Sequence, residues 1–181
     1  MRSRFALIVG TFALVIGLAG GGVAQTFPNG QSPVVGNWKL LKVETVNENT
    51  GEGSPVWMGE KPVGIITYQP NGLMAVQIMK DPKPEFAGKS RLSATPDELK
   101  SAFFGYYAYW GTYSVNEAEQ TVTHEVTASL WPEEVGSKYK RFIKMDGQRL
   151  VLTTPTFTSQ GQFAPQGQKV KNQLTWERMT Q

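Results

Sequence analysis

Cysteine is missing from all 181 residues, and His124 is the only histidine. Without thiols there is no disulfide framework, no thiol nucleophile, no lipid-bearing cysteine and no cysteine-held zinc. A single imidazole also excludes a transition-metal site of several soft ligands, so neither metal nor cofactor is expected. Charge is sparse as well. Charged residues make up 18% of the chain and the formal net charge is +3. Two of those positive charges, Arg2 and Arg4, lie at the very N-terminus, and the remainder carries only +1. No Lys/Arg cluster tracks a phosphate backbone, which argues against a nucleic-acid partner.

Long apolar runs are equally scarce. The one from Phe5 to Leu18 is too short for an easy membrane span. It follows Arg2 and Arg4 and precedes small residues ending in Gly22-Val23-Ala24, the charged, apolar, small-residue order of a secretory signal peptide. The alternative is an uncleaved N-terminal anchor. The expected organisation is therefore a signal at 1–24, a flexible leader at 25–33 and one domain at 34–181. Its expected location is the periplasm or medium of a bacterial cell, with no stable membrane span after cleavage. A chain of this size buries roughly two-thirds of its unfolded surface, enough for a disulfide-free core. A monomer or weak dimer is expected.

What the domain does have is a period of two. Strands are readable at Val34–Val46, Val63–Tyr68, Leu73–Met79, Tyr109–Val115, Thr121–Leu130, Lys138–Met145, Arg149–Thr154 and Lys169–Arg178. Asn71-Gly72 and Asp146-Gly147 are hairpin turns between neighbouring strands. The helix sits in "TPDELKSAFFGYY". Thr95 as N-cap, Pro96 at the first helical position and Glu98 form a capping box, and Leu99, Ala102, Phe103, Tyr106 and Tyr107 share one apolar face about three turns long. Eight antiparallel strands in hairpin order, with one short helix after the third, predict an all-β, up-and-down barrel that can hold one small ligand. A two-sheet sandwich competes on strand count.

Gly36-Asn37-Trp38 opens the first strand and Arg178 ends the last. Together with "PVGIITYQPNGLMAVQIM", "TPDELKSAFFGYYAYWGTYSV", "TVTHEV" and "LTWER", they make nearly the whole domain resemble the bacterial and fungal lipocalin-like proteins. The resemblance implies a barrel whose closed end is plugged by Trp38, with the Arg178 guanidinium packed over the indole and Gly36 beside it. The chain departs from typical secreted lipocalins in lacking their disulfide and in placing its helix after the third strand. It implies no particular ligand.

Strand parity supplies candidate lumen residues. Met74, Val76 and Ile78, then Tyr113 and Val115, Val122, His124 and Val126, and Leu150 and Leu152 are one-sided runs. Tyr139 and Arg141 share a parity with Ile143. His124, Arg141 and Tyr113 would be polar fixing points in a pocket otherwise lined by Met74, Val76, Ile78, Val126, Leu152 and Tyr107. The bland reading of His124 is a buried group satisfied by a neighbour, and that of "FFGYYAYW" is core packing. Glu133 and Glu134 read as a solvated pair in a turn. "GKS" at 88–90 is no phosphate loop, because Lys83 stands where its first glycine is required.

Three functions compete. The first is an exported barrel binding a small, largely hydrophobic molecule. A second, which the resemblance to lipocalin-like barrels implies, is an isomerase- or cyclase-type enzyme; His124 would be its acid–base residue, since an unperturbed imidazole titrates near neutrality. The third is an interaction protein with a filled barrel, working through its outer face or the loops around Trp57 and Phe86.

Overall fold

A computed structural model describes residues 32–55, 58–161 and 164–180. In chain order the elements are β1 (Gly36–Asn47), β2 (Gly53–Pro55), β3 (Val63–Tyr68), β4 (Leu73–Met79), α1 (Pro96–Phe104) and β5 (Tyr106–Asn116). They continue as β6 (Thr121–Ser129), β7 (Lys138–Asp146), β8 (Arg149–Thr153), β9 (Phe157–Thr158) and β10 (Lys169–Arg178). The eight long strands pair antiparallel in the order β1-β3-β4-β5-β6-β7-β8-β10, and β10 pairs back onto β1 from Val170 to Arg178. That last ladder closes the sheet into the expected eight-stranded barrel; β2 and β9 are short additions beside β1 and β10. No helix among the described residues is long and apolar enough to cross a membrane.

The helix differs from its sequence reading. Its capping box forms as expected, with Glu98 N–H donating to Thr95 Oγ1 and the Glu98 carboxylate accepting from Thr95 N–H. It then stops at Phe104, where the Gly105 N–H donates to the Ser101 carbonyl. Tyr106 and Tyr107 belong to β5, opposite Met79 and Ile78. Aromatic residues fit a pleated ladder, and here pairing with β4 outweighs the helical period. No residue of α1 is buried; in place of an apolar face on the core, Phe103 and Phe104 pack edge-on against Trp131.

One end of the barrel is sealed. Trp38 is fully buried and its indole N–H donates to the Val34 carbonyl at 2.7 Å. The Arg178 guanidinium lies 4.0 Å from the Trp38 ring centre and donates to the carbonyls of Val35 and Pro33, so one cation stacks on the plug and fastens the chain that leads into it. Gly36 is required there. Its φ is +134°, and a β-carbon would come within 2.7 Å of the guanidinium.

Above this plug the core is dense: Ile66, Tyr68, Met74, Val122, Leu150 and Trp176 are all buried. Two bulges tune the walls. In β1 the register shifts between Leu40 and Lys42, so the inward set passes from Trp38 and Leu40 to Val43 and Thr45 while Leu41 turns outward. In β5 the shift falls between Trp110 and Gly111, where a β-carbon would run into the Glu125 carbonyl. Trp38→Ala is expected to lose about 3–5 kcal/mol. Gly111→Ala should lose about 2 kcal/mol or more through the forced shift of β6. Urea unfolding monitored by circular dichroism checks both.

Candidate ligand-binding site

Toward the end of the barrel opposite Trp38 the dense packing gives way to a cavity of about 220 Å³. Of the candidates taken from sequence, His124, Arg141, Val76, Ile78, Leu152 and Tyr107 line it. Met74, Val126 and Tyr113 do not. Met74 is buried in the core cluster near the sealed end, and Val126 is buried in the wall. Tyr113 stacks edge-on against Tyr68 at 4.9 Å and donates to the Gln69 carbonyl near the β3–β4 turn. Of the two loop residues, Trp57 lies outside the described residues, and Phe86 does not line the cavity.

The cavity also takes residues that sequence reasoning passed over: Tyr109, Trp176, Glu134, Met58, Asn172 and Thr154. Tyr109 shares the inward parity of Tyr113, so its signal was present but was absorbed into an aromatic cluster. Trp176 was obscured because β10 mixes polar and apolar residues on both parities. Glu134 corrects the reading of a solvated pair. A short 3₁₀ turn, Pro132–Glu134, swings its carboxylate back to the rim, where Tyr107 Oη and Ser129 Oγ donate to it at 3.0 and 2.7 Å.

His124 is 1% exposed and held at both ring nitrogens, Nε2 lying 2.7 Å from the Tyr68 hydroxyl and Nδ1 2.7 Å from that of Tyr109. A neutral imidazole has one donor and one acceptor nitrogen, and counting partners assigns them. Tyr68 is 1% exposed and Nε2 is its hydroxyl's only hydrogen-bond partner among the described residues. Its proton must therefore go to Nε2, because otherwise a buried O–H would lack an acceptor. Nδ1 then carries the imidazole proton and donates to the Tyr109 oxygen. The Tyr109 proton is left for the cavity that Tyr109 lines.

The electrostatics keep this ring neutral. Burial, helped by the nearby Arg141 guanidinium, pushes the His124 pKa down to about 3, so the ring is neutral at physiological pH. Burial raises the pKa values of Tyr68, Tyr107 and Tyr109, Arg141 opposing the rise at Tyr68 and Tyr109, and all three remain hydroxyl donors. Arg141 itself donates to the Lys140 carbonyl and lies 5.1 Å over the Tyr139 ring. Among the described residues no carboxylate pairs with it. The site is thus a blind, mostly apolar pocket with a neutral hydrogen-bonded floor and one cation in its wall.

The lipocalin-like domain family matches residues 35–179, the whole barrel. The chain belongs to that family. Among relatives of this lipocalin-like barrel, a 4'-hydroxy-3'-methoxypropiophenone carrier protein of Aspergillus oryzae is 31% identical over 114 residues, spanning 59% of this chain and 96% of its own. A redesigned β-barrel of solved structure covers 81% of this chain and 92% of its own at 15% identity, with a TM-score of 0.35, a likeness that bears on neither site nor ligand.

The buried imidazole predicts a pH dependence. With the folded pKa near 3 and the unfolded value near 6.5, the unfolded chain takes up the proton first as pH falls. The contribution of His124 is complete above about pH 6.5 and declines toward pH 3, by about 1.4 kcal/mol per pH unit at most. In urea titrations from pH 7 to 4, His124→Gln is expected to start less stable and to show a shallower decline than the unsubstituted protein.

Proposed function

We propose that this protein is an exported carrier that holds one small, largely apolar molecule in the open half of its barrel. The observation that carries the reading is the cavity: 220 Å³, walled by Val43, Ile66, Val76, Ile78, Leu152 and Leu174, with a few polar groups among them. An apolar cavity of roughly 150 Å³ accepts a benzene ring, so this volume suits one ring with a few substituents. Membership of the lipocalin-like domain family supports the reading, and so does the Aspergillus oryzae relative, whose named cargo is a one-ring molecule. Export is supported by the N-terminal order of Arg2, Arg4, the apolar run Phe5–Leu18 and Gly22-Val23-Ala24.

His124, the residue an isomerase or cyclase would use, is neutral and engaged at both nitrogens, which favours carriage over acid–base chemistry. Nor does the open half match a filled barrel. Native mass spectrometry of protein purified from its own host is expected to release one small molecule per chain. Leu152→Trp, which places an indole in the cavity, should abolish that occupancy with the β-sheet circular dichroism unchanged. Equal occupancy in both proteins would remove the lumen as the site. The N-terminus of exported material is expected at Gln25 by Edman degradation.

A further inference from the structure

Given the carrier reading, the polar groups of the cavity are not a random scatter, because those left uncommitted within the protein are donors. Trp176 is fully buried, and its indole N–H has no acceptor among the described residues. The Tyr109 O–H is left over once Tyr68 and His124 have satisfied each other. Arg141 places one N–H on the Lys140 carbonyl and another within hydrogen-bonding reach of the Tyr109 oxygen, and the remaining N–H groups of its five-donor fork carry no further protein partner among the described residues. All three residues line the same cavity. Glu134 is the one carboxylate among the lining residues, and its oxygens already accept from Tyr107 and Ser129. Tyr139, beneath the guanidinium, contributes its ring face. A hydrocarbon in this pocket would leave every one of those donors unanswered and desolvated, which is the costly arrangement.

We propose that Trp176, Tyr109 and Arg141 form an acceptor-reading subsite, and that the cargo is a one-ring molecule that enters with a carbonyl or carboxylate oxygen first. Glu134 offsets the charge of Arg141 in the lining, so the subsite selects for an sp² oxygen before it selects for charge. The aromatic or aliphatic body then rests on Val76, Ile78 and Leu152, and the cavity imposes an orientation as well as an affinity. No bond is made or broken.

The test is calorimetric titration of the purified protein with two isosteric probes, acetophenone and α-methylstyrene, in which a methylene replaces the carbonyl oxygen. Acetophenone is expected to bind roughly tenfold or more tightly than the hydrocarbon. Arg141→Met and Trp176→Phe should each shrink that ratio severalfold, and Arg141→Lys should restore part of it. A ratio corrects for any change of cavity volume or stability that a variant brings. Equal binding of the two probes, or a ratio that neither variant moves, overturns the subsite while leaving the carrier reading intact. Failure of every probe to bind the unsubstituted protein overturns the subsite, and the carrier reading then falls only if the host-purified protein also releases no small molecule. Benzoate in the same assay separates the two oxygen sources: tighter binding than acetophenone identifies a carboxylate cargo, weaker binding a neutral carbonyl one.

Discussion

The antiparallel ladder between β1 and β10 is what turns a sheet into a container. It joins the first long strand to the last across most of the chain, from Trp38 opposite Arg178 to Asn47 opposite Val170. With it the sheet has no free long edge and acquires an inside. Without it Trp38 and Trp176 would line an open face, and the cavity would be a groove in water. The same ladder brings Arg178 onto the Trp38 ring, so closure and plugging are one event. A chain with no cysteine depends on this cooperativity, because nothing covalent holds its ends together.

Inside, burial and polarity are reconciled by a chain of hydrogen bonds. Tyr68, His124 and Tyr109 sit on three different strands, β3, β6 and β5, and each buried polar atom is answered by the next. The direction of that chain is set at its blind end. Tyr68 has only one group to give its proton to, and that choice propagates through the imidazole to Tyr109. A low pKa at His124 is the electrostatic face of the same arrangement: the ring exchanges solvation for two neutral partners and loses its readiness to titrate.

Much of this was legible in the sequence, and the exceptions share a cause. Strand alternation placed His124, Val76, Ile78 and Leu152 in the lumen because a period of two is a local property that survives folding. The closed-end trio was readable only through resemblance, since Gly36, Trp38 and Arg178 meet across 140 residues. Tyr106 and Tyr107 were drawn into the helix because their spacing continues its period, whereas Gly105 and the partner strand β4 decide otherwise. Glu134 was missed because its role depends on a 3₁₀ turn that redirects it toward Tyr107, and pairing of that kind leaves no pattern along the chain. The identity of His124's partners likewise could not be read from one strand, as both tyrosines come from elsewhere in the barrel.

The clamp made by Arg178 has a geometric corollary. It ties Pro33 and Val35 to the sealed end, and the Met179 N–H donates to the Asn37 carbonyl nearby. Pro33 near one described end of the chain and Met179 near the other thus lie at the same pole, opposite the mouth. The pole that gathers both described ends is the plugged one, and the cavity lies at the far side of the barrel, away from both.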